Sequence, residues 1–327
     1  MKIGIIGCGL IGKKRAASAV EGGLEIAAIS DRNFAKAKTF AEQFGAKACD
    51  SAESVINSEA DIIVIALPHN QLTLFADEAL KAGKHLLIEK PGAHQSSDLL
   101  KISKTAEEKN LKIKVGYNHR FHPAIMKARE IVDSGILGDL FFIRGFYGHG
   151  GRIGYEKEWR FKKEISGGGE LMDQGSHLID LSRWFLGEIV DSSSCLQNYF
   201  WGGEVEDNAF FILKTAKKQT AFLHATWTEW KNSFIFEITG RYGKIAISGL
   251  GGSYGTESIT LYKMSPKMGP PESVTWSYPF SDFSWKLEMD ELLNAIKENR
   301  QPLCSVYDAI ETLKVIENLY KQAESKN

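Results

Sequence analysis

The sequence lacks a long apolar run, a close pair of cysteines and an excess of either charge. No stretch approaches the roughly 20 apolar residues of a membrane-spanning helix, and the N-terminal order of charged and apolar residues is wrong for a secretory signal. The four cysteines, Cys8, Cys49, Cys195 and Cys304, lie far apart, which argues against a disulfide framework or a zinc knuckle. A formal net charge of -1 argues against nucleic acid or an anionic membrane as main partner. We therefore expect a cytoplasmic protein.

The first 120 residues alternate short apolar segments with amphipathic ones. The segments 2–6, 24–30, 61–67, 85–88 and 112–115 are short and largely apolar, which is typical of buried parallel strands. The intervening segments 33–44, 70–82 and 95–109 carry apolar residues three and four positions apart, as helices do. This alternation predicts an α/β fold, a Rossmann-type doubly wound parallel sheet, for residues 1–120.

Residues 121–327 have a different pattern. Predicted strands at 141–147, 209–214, 220–228 and 234–239 are rich in aromatic and β-branched residues. Helices are predicted at 124–134, 170–185, 284–299 and 306–323. We predict a C-terminal α+β domain with a large, mostly antiparallel open sheet that has helices on one face. The last helix is expected to pack back on the first domain, and the open face predicts a homo-oligomer, a dimer or tetramer.

A glycine pattern follows the first predicted strand and opens a helix. Gly7 suits a tight turn, Gly9 allows a pyrophosphate to approach the backbone, and Gly12 allows close packing of helix on strand. The N-terminus of that helix, at Leu10 and Ile11, offers free N–H groups to phosphates. The pattern therefore predicts a dinucleotide site.

The residue that selects the dinucleotide is expected after the second strand. Asp31 stands nineteen positions after Gly12, where a carboxylate accepts hydrogen bonds from ribose hydroxyls and repels a 2′-phosphate. The alternative is a surface aspartate that caps the next helix. Arg32 complicates the choice, since an arginine there can hold a 2′-phosphate, but the pattern favours NAD over NADP.

Glu89, Lys90 and Pro91 follow the strand predicted at 85–88. Ligands of open α/β sheets bind at the carboxyl ends of the strands. Pro91 favours an extended Lys90, whose charge would stabilise an alkoxide on a substrate. The alternative is a solvated loop lysine.

Three glycines, Gly167 to Gly169, precede Asp173 and His177, which lie four positions apart and share one face of a helix. The glycines would allow a ligand to approach the backbone. Histidine ordinarily titrates near neutral pH, so this residue type at position 177 suits proton exchange with a hydroxyl. The alternative is a capped helix with a buried histidine. No third metal ligand is evident in the sequence, so no metal site is predicted.

Taken together, these motifs resemble the Gfo/Idh/MocA oxidoreductases, which include glucose–fructose oxidoreductase and inositol dehydrogenase. The resemblance rests on the glycine pattern, on Glu89-Lys90-Pro91, and on the segments 116–121 and 168–177, and it covers essentially the whole chain. It implies that Lys90, Asp173 and His177 are the catalytic residues, with His177 as acid/base. It also implies that Asn118 lies near nicotinamide and substrate. The predicted cofactor-contacting residues are Gly7, Gly9, Leu10, Ile11, Gly12, Asp31, Arg32, Leu67, Pro68, Glu89, Lys90 and Asn118.

The segment 151–160 looks like that of family members that act on nucleotide-activated amino sugars. Arg152 and Arg160 are suited to a phosphate or carboxylate, and Tyr155 and Trp159 to stacking on a sugar or base ring. The alternative is an ordered surface loop. The predicted substrate residues are Lys90, Asn118, Tyr155, Arg160, Asp173 and His177.

Three functions are compatible with this pattern. The first is an NAD(P)-dependent dehydrogenase acting on a sugar, an inositol or a nucleotide-linked sugar. The second, also found in the family, is an NAD-dependent glycoside hydrolase, which shows no net change in NADH. The third is a non-catalytic dinucleotide-binding sensor, against which Lys90, Asp173 and His177 argue.

Overall fold

The computed structural model describes residues 1–325 of the chain. The chain divides into two compact units. Met1–Asn118 and Trp285–Leu313 form the first, and His119–Ser284 with the segment from Lys314 onward forms the second. Each unit is built around one β-sheet.

The described residues form the strands β1 (Lys2–Ile6), β2 (Glu25–Ser30), β3 (Lys47–Cys49), β4 (Ile62–Ile65), β5 (His85–Ile88), β6 (Ile113–Val115), β7 (Leu140–Gly148), β8 (Asp191–Gln197), β9 (Asn208–Lys214), β10 (Thr220–Thr226), β11 (Ser233–Gly240), β12 (Gly243–Ser248), β13 (Glu257–Lys263) and β14 (Glu272–Tyr278). The α-helices are α1 (Leu10–Glu21), α2 (Phe34–Phe44), α3 (Ala52–Ile56), α4 (Leu72–Lys81), α5 (Ser96–Glu108), α6 (Pro123–Asp133), α7 (Lys163–Ser166), α8 (Gln174–Leu186), α9 (Ser284–Lys297) and α10 (Val306–Glu324).

The sheet of the first unit is parallel, with strand order β3-β2-β1-β4-β5-β6. Its strands are buried on both faces, so they read as continuous apolar runs. Ile5, Ile29 and Val64 are fully buried there, together with Met289 and Leu292 of α9. From β1 the sheet continues on one side through β2 and β3, and on the other side through β4, β5 and β6. In sheets of this kind, ligands bind at the switch point between β1 and β4. The predicted Rossmann-type fold is confirmed.

The second unit contains an eight-stranded sheet of order β14-β13-β12-β11-β7-β10-β9-β8. Only the central pair β7 and β10 runs parallel, so the predicted mostly antiparallel sheet is confirmed. Helix α8 packs on β7 and β10, and α6 packs on β12, β13 and β14. On the other face of the sheet, which we call the open face, the side chains of Phe142, Phe222 and Ile235 are 37%, 52% and 46% exposed.

Two features of the second unit differ from the expectations. Sequence reasoning missed the strands β8, β12, β13 and β14. The strands β8 and β14 lie at the sheet edges and are rich in polar residues. The strands β12 and β13 lie inside the sheet, and their alternation of buried and exposed residues was overlooked. The helix predicted from residue 170 begins instead at Gln174. The N–H groups of Gly169 and Leu171 bond to the side chain of Glu206, and that of Glu170 bonds to the Glu206 carbonyl. Because these N–H groups bond to Glu206 and not to carbonyl groups of a helix, residues 170–173 form a turn.

Candidate active site

The glycine turn after β1 has the geometry that its pattern predicts. Gly7 has a φ of 106°, and a Cβ there would lie 2.3 Å from the carbonyl oxygen of Ala66. A Cβ at Gly12 would lie 2.0 Å from the Gly7 oxygen, so helix α1 packs directly on the turn. A Cβ at Gly9 would meet nothing within 4 Å. Gly9 therefore borders open space, as a phosphate cradle requires.

Helix α1 begins directly after this turn. Gly9 is its N-cap and provides no side-chain cap, so the first N–H groups of the helix are available to an anion. Leu10 is 72% exposed and Ile11 is half-buried. The residues present therefore fit a pyrophosphate.

Asp31 follows the end of β2, the neighbour of β1. Its carboxylate accepts hydrogen bonds from the N–H of Cys8 at 2.9 Å and of Asn33 at 3.0 Å. Burial opposes its ionisation, but these hydrogen bonds and Lys36 outweigh it and hold the pKa of Asp31 below its usual value. The side chain of Asn33, not that of Asp31, caps helix α2. The alternative of a capping aspartate is therefore wrong.

Other predicted cofactor residues lie at the same edge of the sheet. Leu67 and Pro68 follow β4, Lys90 follows β5, and Asn118 follows β6. Carboxyl ends of parallel strands share one edge, so the first unit brings these residues together. Asn118 is 5% exposed, whereas Lys90, Leu67 and Pro68 are half-buried. Arg32, next to Asp31, is exposed.

The side chain of Glu89 forms an ion pair with Arg15 of the same unit. The Nε of Arg15, in α1, donates to Glu89 Oε1 at 2.7 Å, and another guanidinium nitrogen of Arg15 contacts Glu288. Burial disfavours the charge of Arg15, but Glu288 and Glu89 more than compensate and raise its pKa. A Cβ at Gly116 would lie 2.6 Å from this guanidinium. Glu89 therefore stabilises the first unit, and a direct cofactor contact is not needed to explain it.

In the second unit, the glycines before α8 pack against protein atoms. A Cβ at Gly168 would lie 2.0 Å from the hydroxyl of Tyr320, and one at Gly169 would lie 2.0 Å from the Glu206 carbonyl oxygen. Tyr320 in turn donates to Glu206 Oε1 at 2.7 Å. Packing within the second unit therefore explains Gly168 and Gly169, since neighbouring residues of the same unit occupy the space beside them.

Asp173 precedes α8, so it does not share a helical face with His177 as expected. Its Oδ2 accepts from the Nε of Arg160 at 3.1 Å, and Arg160 also lies 3.5 Å from Glu158. Burial disfavours the charge of Arg160, but Asp173 and the other neighbours raise its pKa above the usual value. Arg152 pairs with Glu158 as well. Both arginines assigned to a substrate anion therefore already face carboxylates.

Tyr155 is buried in an aromatic cluster. Its ring makes T-shaped contacts with Phe161, Trp201 and Trp227 at centroid distances of 5.4, 5.6 and 5.4 Å. The expected stacking of Tyr155 on a ligand is not supported, since neighbouring rings surround it. Its hydroxyl lies close enough to Asp173 and Arg160 to interact with both charges.

His177 lies in the first turn of α8 and is 5% exposed. Its ring stacks on that of His119, with centroids 3.7 Å apart and an interplanar angle of 20°. Three residues further along the helix, Asp180 receives two hydrogen bonds from Arg120, at 2.8 and 2.6 Å. Sequence reasoning missed His119 as a neighbour of His177, and also Glu206, because their positions in the chain are remote.

No helix among residues 1–325 is long and apolar enough to cross a membrane. The same residues contain no group of three or more histidine, cysteine, aspartate or glutamate side chains arranged to hold a metal.

Two family models match the chain. An oxidoreductase family with an NAD-binding Rossmann fold matches residues 1–117, and the GFO/IDH/MocA C-terminal domain matches residues 125–246. The first unit therefore carries an NAD-binding Rossmann fold.

Curated relatives and solved structures agree with the family models. The chain is 28% identical to levoglucosan dehydrogenase of Pseudarthrobacter phenanthrenivorans over 67% of this chain and 64% of that protein. It is 27% identical to dTDP-3,4-didehydro-2,6-dideoxy-alpha-D-glucose 3-reductase of Actinomadura kijaniata over 68% of this chain and 67% of that protein. The match thus spans about two thirds of each relative. A structure of levoglucosan dehydrogenase with NADH and L-sorbose superposes with a TM-score of 0.89 at 22% identity, over 100% of this chain and 97% of that one.

Proposed function

Because this chain belongs to the Gfo/Idh/MocA family of NAD-binding oxidoreductases, we propose that it is an NAD-dependent dehydrogenase that interconverts a hydroxyl and a keto carbon of a carbohydrate or polyol. The observation that carries this proposal is His177, a nearly buried imidazole at the start of α8 with Asp173 before it. A sugar hydroxyl that is oxidised must lose a proton, and a histidine suits that transfer at neutral pH.

The first unit fits NAD more closely than NADP. The ionised Asp31 is ready to accept hydrogen bonds from ribose hydroxyls, and its charge repels a 2′-phosphate. The turn at Gly9 and the uncapped start of α1 would hold the pyrophosphate. NAD, when bound, supplies the hydride acceptor.

The protein's own side chains handle the proton and the substrate oxygen. In this proposal, His177 accepts the hydroxyl proton on oxidation and returns it on reduction, while Asp173 orients the reacting group. The ammonium of Lys90 stabilises the alkoxide that forms on the substrate oxygen. Asn118 would contact nicotinamide and substrate, as the family resemblance implies.

An uncharged carbohydrate fits better than a nucleotide-linked sugar. Arg160 lies against Asp173 and Glu158, and Arg152 lies against Glu158. Their charges are partly compensated within the protein, so each attracts a phosphate less strongly than an arginine without carboxylate neighbours would. Both kinds of sugar occur in the names of the relatives.

The test is NADH formation at 340 nm with a panel of free sugars, anhydrosugars, inositols and nucleotide-linked sugars. Turnover of a neutral sugar or polyol supports the proposal. Turnover of nucleotide-linked sugars alone would instead indicate that Arg160 binds the substrate. Cleavage of a glycoside with no net NADH identifies the hydrolase instead. Tight NADH binding without any turnover identifies a sensor.

The open face of the second unit supports a homo-oligomer. Phe142, Phe222 and Ile235 are exposed apolar side chains on this face, interspersed with the ion pair of Arg144 and Glu237, and a mixed surface of this kind suits a partner subunit. Light scattering that compares Phe222→Glu with the wild type tests this assembly.

None of the four cysteines forms a disulfide among the described residues, which fits the cytoplasmic location we propose.

A further inference from the structure

His119 forms an aromatic stack with the proposed acid/base. The two imidazoles are nearly parallel with centroids 3.7 Å apart, and His119 and His177 are 4% and 5% exposed. The rings of Tyr147 and Phe234 enclose His119 at centroid distances of 5.1 and 6.0 Å. This packing leaves the imidazole of His177 little freedom to turn about its own side-chain bonds.

The charged side chains around this stack are paired with side chains of opposite charge. Arg120, next to His119 in the chain, pairs with Asp180 of α8. On the other side, His122 lies with its ring 5.6 Å from that of His119 and its Nδ1 3.0 Å from Glu257.

Tyr147, which lies against His119, is bordered by further titratable groups, namely Tyr254, Asp173 and Glu170. Asp173 before α8 is paired with Arg160. Burial raises the pKa of the Tyr147 hydroxyl well above its usual range, so this side chain is an uncharged phenol. The cluster therefore contains three imidazoles, those of His119, His177 and His122, and imidazole is the side chain whose charge ordinarily changes near neutral pH.

Two imidazolium rings in face-to-face contact repel each other, and the repulsion is strong where water is largely excluded. The pair consequently takes up its second proton much less readily than its first. A single proton is tolerated, because the face of an uncharged aromatic ring attracts a cation.

We propose that His119 is a positioning residue of the reaction, which holds the ring of His177 in place and limits the stacked pair to a single positive charge. Once one ring carries the proton, the other stays uncharged to lower pH than an isolated buried histidine would. The effect on catalysis rests on the proposed function, but the coupling of the two rings does not.

The deciding variant is His119→Phe, which retains an aromatic face and removes the second titrating ring. The readout is the titration of the His177 ring by NMR of selectively labelled histidine, in the absence of substrate, beside the pH profile of kcat for sugar oxidation. We expect the midpoint of the His177 titration to rise by about 1 pH unit and the curve to sharpen to a single step. The acid limb of kcat should move by the same amount, with the maximal kcat within about threefold of the wild type.

His119→Ala removes the stack as well as the charge. It should show the same shift in midpoint together with a fall in kcat of about tenfold, because the ring of His177 loses its support. If His119→Phe does not fold, His119→Gln provides the same test of charge. A merely structural role would lower kcat in the alanine variant and leave both midpoints where they are.

A matched control is His224→Phe. His224 also stacks on an aromatic ring in the second unit, that of Phe210 at 4.0 Å and 15°, and it makes no contact with His177 in the structure. Its replacement should leave the midpoint of His177 unchanged. An unchanged midpoint in His119→Phe overturns the proposal. Absence of sugar oxidation in the wild type instead overturns the proposed function, and the NMR titration still decides the coupling.

Discussion

Replacement by alanine is expected to lower stability at Gly12 and to lower the affinity for NADH at Gly9. In Gly12→Ala the new methyl lies 2.0 Å from the Gly7 oxygen, where ordinary contacts begin at 3.4 Å. Because the obstacle is backbone, helix α1 must move away from the turn by roughly 1 Å, and overpacking of this kind costs about 1–3 kcal/mol. For a unit of this size that lowers the midpoint of thermal unfolding by about 3–10 °C.

Gly9→Ala meets no atom within 4 Å, and the backbone there has φ -72° and ψ -174°, which alanine adopts readily. The free energy of unfolding should therefore change by less than about 1 kcal/mol. The methyl group nevertheless occupies the space into which a pyrophosphate would fit. We expect the Kd for NADH to rise at least about tenfold, equivalent to about 1.4 kcal/mol.

The assay combines thermal unfolding followed by circular dichroism with NADH titration followed by fluorescence. Each variant is the control of the other, since one should lose stability and the other should lose affinity. Undiminished NADH binding by Gly9→Ala would refute the placement of the pyrophosphate at this turn. An unchanged unfolding midpoint in Gly12→Ala would refute the steric argument.

Three further outcomes follow from the site. Asp31→Asn removes the charge with little change in shape and should raise the NADPH to NADH ratio of kcat/KM about tenfold; an unchanged ratio would mean that Asp31 does not contact the ribose. Arg160→Gln should lower kcat about tenfold by releasing Asp173, with KM for a neutral sugar within about threefold; a rise in KM alone would place Arg160 on the substrate. Burial lowers the pKa of His224 from 6.5 to about 4, so within this range the unfolded chain binds a proton that the folded protein does not. The free energy of unfolding should fall as pH is lowered through that range, and denaturant titrations of His224→Phe should lack this component.

The first unit could be predicted closely because its strands are buried on both faces. β1 and β5 begin and end at the predicted residues, and the glycine turn follows directly in the chain. β14, by contrast, lies at a sheet edge with most of its residues exposed. Strands of that kind lack the apolar run or the regular alternation on which prediction depends.

Sequence reasoning reached only those parts of the candidate site whose residues are close in the chain, such as the glycine turn at Gly7, Gly9 and Gly12. Asp173 and His177 stand four positions apart and were expected to share one helical face, but Asp173 precedes α8. The stack of His119 on His177 joins residues 58 positions apart by number, and Glu206 reaches back to Gly169 across 37 positions. These contacts depend on the folding of the second unit. The glycines before α8 suggested a ligand because the sequence contains no sign that Tyr320 fills the same space.

The contact between Gly168 and Tyr320 also limits how this protein can diverge. A Cβ at position 168 would lie 2.0 Å from the tyrosine hydroxyl, so any larger residue there requires a shorter side chain at position 320. Loss of Tyr320 would in turn take a hydrogen bond from Glu206, which orders the turn before α8. We expect positions 168, 206 and 320 to change together among relatives, if at all. The glycine at position 168, which resembles part of a ligand-binding motif, would then be retained because of its packing against α10.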